Sequence, residues 1–237
     1  MLKKRNNLIP VLLLLLAATF TFAVPGAKAS DQSEAQALVL KSQATFKNFM
    51  ADPNMTWFHK NSHRARGIFI VPQMIRGGFI IGGSGGSGVL LTRDSKTGAW
   101  SYPAFYTMGS VSIGLQVGAD ASEIILLIMT EKGINAMLSN EFKLGADVAV
   151  AAGPVGASAK AQTADVLAFG RSKGAFGGLS IEGAVIAPRD KWNSSFYGKP
   201  VSPVDILIKR NVKNKAAEPL RKELPSLKAT PTKPLGQ

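Results

Sequence analysis

An α+β domain built on a curved antiparallel sheet is the fold the sequence predicts, and three observations predict it. Short apolar runs separated by glycine-rich stretches recur through the middle of the chain. Helical spacing of apolar residues is strongest near the two ends. The regular strand-helix-strand alternation of a parallel doubly wound sheet is missing. Most of the 24 glycines fall in strand-like segments. Glycine there marks bulges and sharp bends, so the sheet is expected to curl toward a barrel, with helices near both ends.

Along the chain, residues 33–51 carry Ala37, Leu38, Leu40, Ala44, Phe49 and Met50 at helical spacing. Ser33 is placed to cap this helix, and Asp52-Pro53 ends it. Residues 54–66 read as a turn or short helix around His59 and His63, and 67–72 as a short buried strand or turn. The apolar runs 77–82 and 87–92 read as a hairpin pair with the glycines between them. Asp94–Gly98 is a turn. Trp100–Tyr106, Ser110–Gly118 and Glu123–Thr130 read as strands, and Glu131–Asn140 has helical spacing at Ile134, Met137 and Leu138. Residues 146–152, 157–163, 166–171 and 178–186 give four more strand-like runs. Ser202-Pro203-Val204-Asp205 opens a last short helix, with serine as N-cap, proline at the first helical position and an acid in the first turn.

The chain has 237 residues, with 28 Lys+Arg against 15 Asp+Glu, and the excess charge sits at the ends. Residues 1–29 carry four basic residues and no acid, and residues 209–237 carry eight against two. The body is only mildly basic, so the composition does not point to nucleic acid as a partner. Lys3-Lys4-Arg5, the apolar stretch 8–24 and Ala27-Lys28-Ala29 form the pattern of a secretory signal cleaved after Ala29. On that pattern the protein is expected to be exported, periplasmic or secreted, and peripherally membrane-associated. The domain is expected over 30–208. Residues 209–237, with prolines at 219, 225, 231 and 234, are expected to be a flexible basic tail.

The absence of cysteine rules out disulfides, thiolate metal sites and cysteine nucleophiles. Gly83–Gly88 matches the spacing of a dinucleotide fingerprint, but Val89-Leu90-Leu91 follows where a helix is needed. Gly82–Gly86 matches the nucleophile elbow around Ser84, yet the histidines lie upstream of it. His59 and His63 share a helical face without a third ligand, which favours a solvated pair over a metal centre. No pair of carboxylates stands out for acid–base work, so no catalytic residue, cofactor or metal is expected. The basic turn at Arg171 and Lys173 suits either a solvated hairpin or a phosphate-binding turn.

Seven stretches in order resemble one family. They are Gly78–Gly83, Gly88–Asp94, Trp100–Tyr106, Ser112–Gly118, Leu144–Gly156, Arg171–Gly183 and Asn193–Lys199. Together they resemble the SYLF domain, the lipid-binding domain of yeast actin-patch proteins and of many exported bacterial proteins, over about residues 35–208. The resemblance implies binding of phospholipids, phosphoinositides in eukaryotic members, and no enzymatic activity. In yeast members the domain also binds actin, which an exported protein would not meet.

The expected partner is therefore an anionic phospholipid surface. Arg171, Lys173, Arg189, Lys191 and Lys199 are the candidate headgroup contacts, and Trp192, Phe196 and Tyr197 the candidate aromatics at the interface. Lys209, Arg210, Lys213 and Lys215 of the tail would add long-range attraction. An envelope scaffold that binds a protein or an acidic polymer is the alternative. An enclosed pocket holding one lipid would instead indicate a carrier, and the sequence does not separate that from surface binding.

Overall fold

The computed structural model describes residues 30–78, 81–113, 118–153, 163–172 and 181–226. The expected leader 1–29, most of the strand expected at 157–163, Lys173 and residues 227–237 lie outside the described residues. The fold is α+β, with a curved, half-barrel-like antiparallel sheet and helices near both ends.

The elements in chain order begin with α1 (Asp31–Ala51) and α2 (Thr56–Ser62). Strands β1 (Gly67–Gly78), β2 (Ile81–Thr92), β3 (Ala104–Ile113) and β4 (Gly118–Ile128) follow. Next come α3 (Glu131–Met137), β5 (Phe142–Lys143), β6 (Val150–Gly153), β7 (Val166–Ser172) and β8 (Val185–Pro188). The chain closes with α4 (Asp190–Tyr197), α5 (Pro203–Leu207), a 3₁₀ turn (Lys215–Ala217) and α6 (Glu218–Glu223). The sheet order is β5-β8-β3-β2-β1-β4-β7-β6, and among the described strands only β6 and β7 pair in parallel.

The central strands are buried on both faces. In β1, Ile68 and Ile70 face one cluster while Phe69 and Val71 face the other, all fully buried. Such strands read as continuous apolar runs rather than alternating ones. On one face lie α1, α2, α4 and α6. Phe58 of α2 is the hub there, meeting Phe46, Phe49 and Phe169 edge-on at 5.8, 5.5 and 5.3 Å. On the other face Met137 of α3, Ile206 and Leu207 of α5, and the segments around Leu144 and Ile181 cover the sheet. The short helix opened by Ser202 has the expected cap: its hydroxyl accepts from Asp205 N, and the Asp205 carboxylate returns a bond to Ser202 N.

Two expectations are corrected. The glycines of 83–88 do not form the hairpin connection. They lie inside β2, one strand of 12 residues, which pairs from Gly78↔Gly82 to Gly67↔Thr92 with β1. β1 bulges opposite this stretch, with one extra residue between Ile70 and Gln73, and the ladder with β2 resumes past it through the glycines. A Cβ on Gly86 would stand 2.5 Å from Gln73 O, and one on Gly88 would stand 2.6 Å from Ile70 O. These glycines serve close approach, not a turn.

The flexible tail is the second correction. Residues 212–226 form a strap on the domain, with Val212, Ala217, Leu220 and Leu224 all buried. Pro219 sits in the first turn of α6, where its missing N–H costs nothing, and Pro225 follows the helix. Arg221 donates from Nη2 to Trp100 O at 2.7 Å, Trp100 Nε1 donates to Pro225 O at 3.0 Å, and Lys47 of α1 pairs with Glu223 at 2.9 Å. The packed chain therefore runs well past the boundary expected at 208.

Candidate functional site: a basic face on the last strap

The strap crosses the end of α4 and the Tyr102 side chain. Asn214 Nδ2 donates to Phe196 O at 2.7 Å, which fixes residues 213–215 beside the C-terminus of α4. Gly198 closes that helix in the left-handed conformation at φ 66°, and Lys199 follows. Below the strap lies an open groove of about 980 Å³, lined by Tyr102, Gln43, Lys213, Lys215, Lys222 and the α6 acids. Lys199, Lys213, Lys215 and Lys222 are exposed, and none of them makes an ion pair among the described residues.

The acids of the groove are already satisfied. The Tyr102 hydroxyl and Arg221 Nη1 both donate to Glu218 Oε1, and the Arg221 guanidinium lies 4.1 Å over the Tyr102 ring. The hydrogen bond from Tyr102, with the Arg221 charge, holds the Glu218 carboxyl below its usual range. Burial, with the bond to Glu218, pushes the Tyr102 phenol up. Glu223 is held low by Lys47 and Gln43. With both carboxylates matched, the remaining lysines leave this face electropositive.

The residues expected from the sequence separate into three groups. Lys191 and Lys199 are exposed at the two ends of α4. Arg171 is matched by acids: its Nε lies 3.8 Å from Asp52 and its Nη1 3.5 Å from Glu123. Glu123 also accepts from Thr45 at 2.9 Å, so this network ties β4 and β7 to the end of α1. Lys209 pairs with Asp205 at 3.0 Å, and Arg210 with Asp94 at 3.4 Å while donating to Ala99 O at 3.0 Å. Arg189 stacks 3.5 Å over Trp192 and donates to Ser87 Oγ at 2.5 Å.

The aromatics are corrected as interfacial groups. Phe196 is 1% exposed and packs 4.9 Å from Phe105, and Trp192 is 7% exposed beside the same ring. Tyr197 is half-buried and donates its hydroxyl to Pro103 O at 2.6 Å. Positions 192, 196 and 197 are the core-facing stripe of α4, which is why they are apolar. Sequence reasoning missed Lys222 and Tyr102. The signal was present in Ala217, Leu220 and Leu224, whose spacing of three and four residues faces one side of a helix.

The motifs weighed as catalytic are structural. Ser84 stands in mid-strand and shares a 2.8 Å hydrogen bond with Ser110. His59 Nε2 lies 3.0 Å from Phe49 O. Among the described residues no group of three or more His, Asp or Glu is placed to hold a metal ion, and no helix is long and apolar enough to cross a membrane.

Comparison with known proteins places this geometry in a family. A family model described as "Ysc84: Las17-binding protein actin regulator" matches residues 109–227, half of the chain, and includes the strap. Protein YSC84 of Saccharomyces cerevisiae is 35% identical over 173 residues, which is 69% of this chain and 36% of that protein. LAS seventeen-binding protein 3 of the same yeast is 35% identical over 173 residues, 69% of this chain and 37% of its own. The human SH3 domain-containing YSC84-like protein 1 is 28% identical over 169 residues, 69% of this chain and 49% of that protein. The chain thus spans less than half the length of these relatives. No solved structure matches it significantly.

The relatives overturn the exported placement. The family description names an actin regulator, a role exercised inside the cell, and this corrects the periplasmic or secreted location drawn from the amino-terminal pattern. The chain belongs to the Ysc84 family of SYLF-domain proteins, a family of non-catalytic lipid-binding domains.

Proposed function

We propose that this domain docks peripherally on anionic phospholipid headgroups through the basic face of α4 and the strap. The observation that carries the reading is the group of exposed, unmatched lysines at 199, 213, 215 and 222, held on a folded segment rather than a loose tail. Each lysine near an anionic surface contributes about 1 kcal/mol, and the attraction is screened within a Debye length. Lys191 extends the charge along α4. Arg171 is engaged with Asp52 and Glu123 and is left out of the contact set.

Co-sedimentation with vesicles tests the reading. Phosphatidylcholine vesicles containing phosphatidylserine are expected to bind more protein than phosphatidylcholine alone, and the difference is expected to shrink as salt rises. Lys213→Glu with Lys215→Glu is expected to remove most of the difference while the melting temperature holds. Equal binding to neutral and anionic vesicles at low salt would overturn it.

A second reading has its own support. The matched family is described as a Las17-binding actin regulator, and two relatives are named for binding LAS seventeen. A lysine-rich face also suits an acidic protein surface such as filamentous actin. The same double variant, spun down with actin filaments in place of vesicles, tests this: loss of filament binding with vesicle binding intact would favour the protein partner.

A further inference from the structure

α1 leaves part of its sheet face uncovered. Between its outer flank and the outer halves of β1 and β2 runs a groove of about 380 Å³, within the range of small-ligand sites. Leu38 forms one wall and Ile75, 55% exposed, the other. The floor is backbone: a Cβ built on Gly85 meets nothing within 4 Å, so the space above it is open.

One part of the groove is polar. Ser87 and Trp192 line it, and Arg189 is held between them by its bond to the hydroxyl and its stack on the indole. That bond is the one the guanidinium makes to a described residue, so further N–H donors remain for a ligand. Glu34 also lines the groove; burial lowers the Arg189 pKa, and the charges of Glu34 and Asp31 lie near enough to oppose that shift. No ion pair within 4 Å joins Glu34 to Arg189. Lys41, two turns further along α1, completes the charged lining.

The groove therefore offers an apolar length and, near Arg189, a cation and a carboxylate that are not bonded to each other. A lone anion would be repelled by Glu34, and a lone cation by Arg189. A phosphate esterified to an amino alcohol, with its ammonium group free, meets both. We propose that the groove takes one zwitterionic phospholipid. An acyl chain lies over Gly85 between Leu38 and Ile75, the phosphate is on Arg189, and the ammonium group is on Glu34. The proposal rests on the lipid-binding reading but uses none of the lysines of the basic face.

Native mass spectrometry of the full chain, mixed with phosphatidylcholine or with phosphatidylglycerol and then freed of excess lipid, tests it. One retained phosphatidylcholine per chain is expected, with less phosphatidylglycerol. Gly85→Leu puts a side chain into the open space and is expected to cut retention about tenfold, as a filled apolar subsite does. Ile75→Glu is expected to do the same. Neither is expected to lower the melting temperature or the binding to phosphatidylserine vesicles. Glu34→Gln is expected to remove the preference for phosphatidylcholine. Retention unchanged in Gly85→Leu and Ile75→Glu overturns the groove, and an unchanged preference in Glu34→Gln overturns the headgroup assignment. A wild-type chain that binds anionic vesicles yet retains no phosphatidylcholine overturns the groove alone. One that does neither overturns the lipid reading with it.

Discussion

The inner and outer halves of the same strands are built on different principles. From Gly67 to Val71 and from Gly88 to Thr92 every residue is buried, and both sheet faces carry packed side chains. Past the bulge at Pro72 the same strands carry glycine, serine and isolated apolar residues, with Val111 of β3 81% exposed. Glycine occurs in both halves for opposite reasons. At Gly88 of the inner half the neighbouring strand is too close for a side chain, whereas at Gly77 and Gly85 of the outer half nothing lies within 4 Å of where one would be. The inner half supplies stability, and the outer half supplies an open surface beside α1.

The largest effect that sharpens this contrast is expected at the aromatic hub. Phe58→Ala leaves Phe46, Phe49 and Phe169 without their shared partner and is expected to cost about 3–5 kcal/mol, read by urea unfolding. Leu220→Ala is expected to cost about 2–5 kcal/mol. A flexible tail would give no change there, so a silent Leu220→Ala would break the assignment of the strap to the core.

A glycine pair tests the two halves directly. Gly88→Ala places a Cβ 2.6 Å from Ile70 O and from the Phe69 ring. It is expected to destabilise by about 1–3 kcal/mol through overpacking. Gly85→Ala is expected to stabilise by about 0.4–1 kcal/mol through a less flexible unfolded chain. Equal effects at the two sites would remove the distinction between crossing glycine and open glycine.

The smallest effect is a pH dependence. Hydrogen bonds from Ser202, with Lys209 adding to them, hold the Asp205 carboxyl well below its ordinary range. The folded pKa is depressed, so its contribution to stability is complete above the unfolded value of about 4 and is lost as pH falls through the folded one. Asp205→Asn is expected to lower stability slightly near neutrality and to flatten the acid limb of the stability curve below about pH 4, so that the two curves converge at low pH.

Where periodicity and capping speak with one voice, the sequence was enough. The helical spacing announced α1 but not its buried face: of the expected stripe only Leu38 and Phe49 are buried, Ala37, Leu40, Ala44 and Met50 are exposed, and Ser33 lies inside a helix that starts at Asp31. Ser202-Pro203-Asp205 announces its helix with three independent signals. The curved sheet was legible from glycines inside apolar runs. Gly82–Gly88 was misread because glycine marks a turn and a close approach with the same letter, and the bulge that distinguishes them lies in another strand. The strap was misread because Pro219 was taken as a breaker, although proline in a first turn opens a helix. The candidate site was half legible. Lys191, Lys199, Lys213 and Lys215 stood out as charges, but which cations are already paired depends on partners such as Glu123 and Asp52, which are distant in sequence from Arg171. Trp192 and Phe196 were assigned to an interface because an aromatic next to lysines looks the same in sequence whether it faces lipid or Phe105.

The joining of the first helix to the last has a consequence for biosynthesis. Phe46 and Phe49 share one cluster with Leu220 and Leu224, and Lys47 holds Glu223. A nascent chain cannot close that layer until residue 224 has left the ribosome. During translation the apolar side of α1 therefore stays open to chaperones until the strap has emerged, and that emergence, not an early folding unit, sets when the domain becomes protease-resistant.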